Sequence, residues 1–300
     1  MENILRIVAQ PDNIAIVLMM VLVGFFSAAA FILALQNDRK KASWIRGEGS
    51  PEEVAAFEEE KIHIWPYLAR KEFLATVLVT VLLLAWSIVL DAPLEQEANA
   101  TLTPNPAKAP WYFVGLQEML VYFDPWIAGV VLPSLIIFGL AAIPYLDTNP
   151  RGGGYYTWAE RKAEIIVFCF GFFLWVGLII VGTFMRGPGW IWFWPWEPWD
   201  PDKVVQATNV DLTEFFGVPS RSVGGSLIGG TVVLGYYLVG MLLPYRFLQR
   251  RRPEILLRAQ SVRYVMVFFL LLTMLALPIK MLLRLTINLK YIWVTPWFSI

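Results

Sequence analysis

The chain has 300 residues, of which 57% are hydrophobic, 15% aromatic and only 16% charged, with a mean hydropathy of +0.57. Soluble domains carry about 25% charged residues, so a soluble globular chain, a disordered tail and a collagen-like fibre are excluded. Lys plus Arg and Asp plus Glu number 24 each, which implies no basic face for nucleic acid. The lone Cys169 and His63 exclude an internal disulfide, a CxxCH haem attachment, a cysteine-rich metal site and a two-histidine haem in one copy.

A helix that crosses a bilayer needs about 20 mostly apolar residues, and six stretches qualify. In chain order they are Ile14–Gln36, Glu72–Leu90, Ile127–Leu146, Ile165–Met185, Gly225–Phe247 and Tyr264–Leu285. The first lacks a basic start and is too long for a secretory signal, so it reads as a retained span. Pro133 and Pro144 fall near the ends of the third. Pro278 and Lys280 are expected to bend the sixth or end it early. The fold class is therefore all-α, a polytopic membrane protein of six spans. Between the first two spans, Ser50–Lys61 carries a helix-start signature. Ser50 is an N-cap candidate, Pro51 suits the first turn, and Glu52 and Glu53 favour the positive helix end. A solvated charge run explains the same residues.

Basic residues favour the inner side of a membrane. The connections after the first, third and fifth spans, counting Arg246 at the inner end of the fifth, hold 7, 3 and 6 of them, 16 in all, against 8 elsewhere. Both termini are thus expected outside. The sequence divides into 1–62, an added span with an inner amphipathic segment; 63–250, the main helical domain; and 251–300, a further span and tail.

The outer loop 91–126 is too long for a connector and too apolar to be merely solvated. Its second half, APWYFVGLQEMLVYF, is expected to lie on or partly in the membrane as a helix. An acid at membrane depth is costly and marks a functional candidate, which singles out Glu118 and, more weakly, Asp124. Glu118 follows Trp111 by about two turns. An interfacial helix with belt aromatics and a Glu118 that reaches water is the plainer reading of these residues alone. His63 reads as a surface residue and Cys169 as a small apolar filler. Trp190, Trp192, Trp194, Trp196 and Trp199 read as a membrane belt or as a docking surface. The glycines of the fifth span, Gly225, Gly229, Gly230, Gly235 and Gly240, suit close helix contact.

The stretch Pro66–Asp147 resembles the C-terminal half of cytochrome b, the half made separately as subunit IV in photosynthetic complexes. The residues that carry the likeness come in order: Pro66-Tyr67 and Lys71-Glu72 at a span entrance, Asp91-Ala92-Pro93 at its exit, then Asn105-Pro106. Ala109-Pro110-Trp111-Tyr112 resembles the Pro-Glu-Trp-Tyr motif, and Gly129 and Ile143-Pro144-Tyr145-Leu146-Asp147 follow. The order and spacing of these matches, more than any one of them, make the likeness. In that family the aromatic motif frames quinol oxidation on the positive side and the Lys-acid pair serves quinone reduction on the negative side. The charge count gives the same orientation independently. The first and sixth spans and the stretch Gly189–Trp199 have no counterpart in subunit IV.

The resemblance implies a subunit of a quinol:cytochrome c, or related acceptor, oxidoreductase in a bacterial energy-transducing membrane, with a quinone or quinol held at a subunit interface. It implies two b haems on a cytochrome b N-terminal-half subunit, a Rieske 2Fe-2S protein and a c-type cytochrome as partners, with no metal on this chain and the whole complex as a dimer. Quinone-contacting candidates are Pro110, Trp111, Phe113, Leu116, Leu120, Val131 and Leu135. Tyr112 is a hydrogen-bonding candidate, and Lys71 and Glu72 are candidates for inner proton delivery. The motif glutamate is replaced by Pro110, so Glu118 is taken as the substitute proton acceptor, a carboxylate whose pKa partial burial would raise. Glu118→Gln is then expected to slow quinol oxidation while assembly survives. A scaffold subunit without a quinone site, or a transporter, is the alternative; against the transporter, no internal symmetry or matched pair of broken spans is visible.

Overall fold

The computed structural model describes all residues except 1, 60–62, 92–96, 98, 102–105, 107, 152–153 and 206–207. For residues 2, 3, 6, 11, 12, 56, 58, 59, 111, 258 and 259 the description is limited to the backbone. Ala92-Pro93 and Pro104-Asn105 therefore lie outside the described residues. Among the described residues the protein is all-helical, and six helices there are long and apolar enough to cross a membrane. The helices are α1 (Glu2–Val8), α2 (Pro11–Ile45), α3 (Pro51–Glu59), α4 (Ala69–Val89) and α5 (Trp111–Met119). Then come α6 (Leu132–Leu146), α7 (Lys162–Ile180), α8 (Val223–Arg251) and α9 (Pro253–Ile287). Wider π-turns lead into α4 over Ile64–Leu68 and into α6 over Ile127–Val131, and close α7 over Val181–Met185.

The chain divides into two units. The first holds residues 1–101 and 150–165. Its α2 runs nine residues beyond the expected end at Gln36. The extension is fixed by polar contacts to the segment before α7. Asp38 accepts bonds from the Thr157 hydroxyl (2.5 Å) and the Trp158 and Ala159 amides (3.0 and 2.8 Å). Lys41 donates to Tyr155 (2.5 Å) and Glu160 (2.9 Å), and the Tyr155 hydroxyl donates to Glu160. Two edge-on ring contacts tie α3 in, Trp44 to Phe57 and Phe57 to Tyr155, each 5.3 Å. The expected cap of α3 is present: Ser50 Oγ accepts from the Glu53 amide and Glu53 accepts from the Ser50 amide, both at 3.2 Å, a capping box. None of the residues of α4 is buried.

The second unit holds 102–149 and 166–300. Here α8 and α9 pack closely. Tyr236 donates to the Leu272 carbonyl (2.7 Å), Tyr264 to the Met241 carbonyl (2.6 Å), and Tyr237 and Thr273 hydroxyls meet at 2.9 Å. Gly240 eases this approach: a Cβ there would lie 2.6 Å from a Leu272 methyl, which would have to swing aside. The glycines near the start of α8 instead admit the C-terminal segment: a Cβ at Gly229 would lie 2.5 Å from the Ile292 carbonyl oxygen.

The sixth span departs from expectation. Its helix continues through Pro278 and Lys280 to Ile287 and ends on Asn288 in the left-handed region, φ 53°. The break falls earlier, at Gln260 (φ 53°, ψ 163°). Lys280 does not end the helix because its side chain turns into the unit's interior, where it is 2% exposed. At this end of the unit, α5, the segment after α7 and the C-terminal segment meet. Leu212 bonds Tyr291 (2.8 Å), and the Trp293 indole donates to Ser226 (3.1 Å). Beneath them Met119, Tyr122, Phe123, Ala128, Leu178 and Leu277 form the apolar core.

Candidate functional site

Helix α5 begins after Pro110, whose φ of −49° suits the entry to a helix. The Ala109 amide donates to the Gln117 side chain at 3.0 Å, tying the approach to the helix it precedes. Two faces result. Val114, Gly115, Glu118 and Met119, spaced as neighbours on one helical stripe, are buried. Tyr112, Phe113 and Leu120 are 47%, 50% and 44% exposed. The Tyr112 and Phe113 rings lie 4.6 Å apart in a tilted pair. Leu116 sits between the faces and packs on the core.

The buried face rests on the end of α7. A Cβ at Gly182 would lie 2.4 Å from a Val114 methyl and 3.2 Å from the Val114 carbonyl oxygen, so only glycine permits this approach. At the same level Glu118 meets Arg186. Arg186 Nη2 donates to Oε1 at 2.6 Å and Nε to Oε2 at 2.8 Å. The Tyr122 hydroxyl adds a bond to Oε1 (2.8 Å) and the Trp190 indole one to Oε2 (3.1 Å). Glu118 is 0% and Arg186 6% exposed. Burial and the Glu118 charge beside it push the Tyr122 phenol above its ordinary pKa, so it stays a donor. Trp190 has φ 58°, uncommon for a bulky residue. It is held there by its indole bond to Glu118 and by Arg186 Nη1 on its carbonyl oxygen (3.2 Å).

These contacts revise the surroundings expected for Glu118. Both its oxygens are taken by donors, and it faces away from Tyr112 and Phe113. The reason is the guanidinium: a buried carboxylate is stable when a fork of charged donors meets it. Removing one partner of such a pair costs about 3–5 kcal/mol, so loss of the charge in Glu118→Gln would strain the fold as well as any chemistry.

The other candidates fall as follows. Pro110 is exposed; Val131 and Leu135, on the π-turn and α6, are half-buried. The side chain of Trp111 lies outside the described residues. Asp124 accepts from the Trp126 amide at 2.9 Å, a local turn bond. Lys71 and Glu72 are exposed in the first turn of α4, within the first unit. His63 is exposed at the entry to the π-turn before α4. Sequence reasoning passed over Arg186 and Tyr122, and read Trp190 only as a belt or docking residue. The available signal was Arg186, the one cation between Lys162 and Lys203, set beside an isolated acid 68 positions earlier.

The tryptophan-rich segment is built around the same arginine. Arg186 lies 5.4 Å from the Trp192 ring centre. Trp192 meets Trp194 edge-on (5.6 Å), and Trp194 and Trp196 stack at 5.4 Å and 5°. Lys203 closes the loop with Glu197 (2.5 Å) and over the Phe193 ring (4.2 Å). The bonds from Lys203 and the Trp194 amide hold the Glu197 carboxyl below its ordinary pKa.

Comparison with known proteins matches residues 97–193 to the family described as cytochrome b(C-terminal)/b6/petD. The matched segment begins after Lys71 and Glu72, and contains α5, α6, α7 and the Glu118–Arg186 pair. A protein of Geobacillus thermodenitrificans, the menaquinol:cytochrome c reductase cytochrome c subunit, is 28% identical over 112 residues. That alignment covers 36% of this chain and 45% of the relative, so the chain spans less than half of that protein's length. No solved structure matches the chain significantly.

Proposed function

We propose that this chain is an integral membrane subunit of a quinol:cytochrome c oxidoreductase, or of a complex with a related acceptor. In this reading it forms one wall of the quinol-oxidation pocket on the outer side of the membrane. The observation that carries it is the division of α5, inside the cytochrome b-like segment, into a bolted face and an open one. The bolted face is fixed by Glu118–Arg186 and by the Gly182 approach. The open face offers Tyr112, Phe113 and Leu120, two rings and an aliphatic surface suited to a flat apolar head group.

Bound quinol supplies two electrons and two protons. The chain's residues position it: Phe113, Leu116, Leu120, Val131 and Leu135 exclude water, and the Tyr112 hydroxyl holds a ring oxygen. Glu118 acts here as a positioning residue, since its ion pair sets the angle at which Tyr112 and Phe113 are presented. Lys71 and Glu72 serve proton delivery on the inner side.

One histidine and one cysteine in 300 residues leave the electron carriers to partners. These are a cytochrome b N-terminal-half subunit with two b haems, a Rieske protein and a c-type cytochrome. A scaffold role without a quinone site is the second reading, favoured by the exposed stacked pair Trp194 and Trp196 as a docking surface. Purification of the tagged chain in mild detergent tests the proposal. Two b haems and an iron–sulfur subunit are expected to copurify, and a preparation without b haem would overturn it.

A further inference from the structure

Among the described residues, three buried side-chain polar atoms lack a hydrogen-bond partner: Thr183 Oγ1, Trp199 Nε1 and Lys280 Nζ. Lys280 is the one that can carry a proton. It lies 2% exposed on α9, one turn after core residue Leu277. Its Nζ sits 6.0 Å from the Phe123 ring centre and 5.8 Å from that of Tyr291. Two ring faces soften the isolation of an ammonium group but accept no hydrogen bond of ordinary strength.

A buried donor without an acceptor is costly, and an ionisable group inside a span is by default functional. Asp211, at the cap of the turn before α8, acts electrostatically on Lys280, as does Arg284 one turn on. Tyr291 on the C-terminal segment feels both Asp211 and Asp124, the latter one residue after Phe123. Lys280 therefore has one acid, Asp211, acting on it and the ring of Tyr291 beside it. The acid expected to take up a quinol proton, Glu118, is engaged by Arg186.

We propose that Lys280 holds ordered water and relays protons between the interior beneath α5 and Asp211 at the outer surface. The step balances simply. Lys280 ammonium passes one proton through water to the Asp211 carboxylate, which releases it to solvent, and the neutral amine takes up the next from water beneath α5, where quinol releases it. Lys280 itself is neither oxidised nor reduced. The inference rests on the quinol-oxidation reading for the source of protons, and assigns Lys280 as a positioning and relay group that does not touch the substrate.

The test uses the intact complex. Lys280→Met is expected to lower quinol oxidation about tenfold and to remove one ionisation from its pH profile. Lys280→Arg keeps the charge but cannot readily give up a proton, so it is expected to assemble normally and remain as slow as the methionine variant. Full activity in Lys280→Arg would make Lys280 a fixed charge and overturn the relay. So would an unchanged rate and pH profile in Lys280→Met. A second readout is independent of quinol. With labelled lysine nitrogen, Asp211→Asn is expected to shift the titration of the Lys280 signal in the resting complex. If that shift is seen but the complex oxidises no quinol, the functional reading fails and Lys280 still exchanges protons. If quinol is oxidised and the Lys280 signal never titrates, the relay fails alone.

Discussion

Glu118 and Arg186 show how one residue can be visible in a sequence and its meaning hidden. An isolated acid in an apolar helix announces itself, and Glu118 was legible for that reason. Its partner stands 68 residues on, and by sequence alone it reads as one more cation in a charge count. Only the fold brings the two together, with Tyr122 and Trp190 completing the shell. The pair makes a thermodynamic prediction. Arg186→Met or Glu118→Gln alone is expected to destabilise the subunit by about 3–5 kcal/mol, because each strands a buried polar or charged partner. The double variant removes the stranded charge and is expected to recover much of that loss. Heat denaturation of the complex for the four proteins measures the coupling; additive losses would mean that the ion pair is not the bolt.

At the scale of elements, the six spans could be read directly, since each needs only length and apolarity. The cap of α3 was equally plain, because a capping box is a local device. The boundaries were less so. The continuation of α2 to Ile45 depends on Asp38 and Lys41 meeting a segment more than a hundred residues away, which no local pattern reports. The passage of α9 through Pro278 and Lys280 likewise depends on the interior that receives Lys280. The α2 latch has a signed pH dependence. The Tyr155 hydroxyl, and then Lys41, hold the Glu160 carboxyl below its ordinary pKa. Its contribution to stability is therefore present above the ordinary carboxylate value of about 4.3 and is lost as pH falls through the lower, folded value. Hydrogen exchange of the 155–160 segment is expected to accelerate in that acid range. In Glu160→Gln it is expected to be fast already at neutral pH and to rise less on acidification. An acid response unaltered by that substitution would assign the latch to other groups.

For the molecule as a whole, composition alone settled that the chain lives in a membrane and that its 300 residues cannot hold a two-histidine haem in a single copy. The likeness to cytochrome b was carried by ordered short motifs, and residues 97–193 bear it out. What the motifs could not convey was which face of α5 is open, because that depends on the close approach at Gly182 and on Arg186. The central claim is that this open face meets quinol. Photoaffinity labelling of the purified complex with an azido-quinone, followed by peptide mapping, tests it directly. Labelling is expected on Tyr112, Phe113 and Leu120, and to be displaced by an inhibitor of the outer pocket. Label confined to other subunits, with the α5 peptide untouched, would contradict the account.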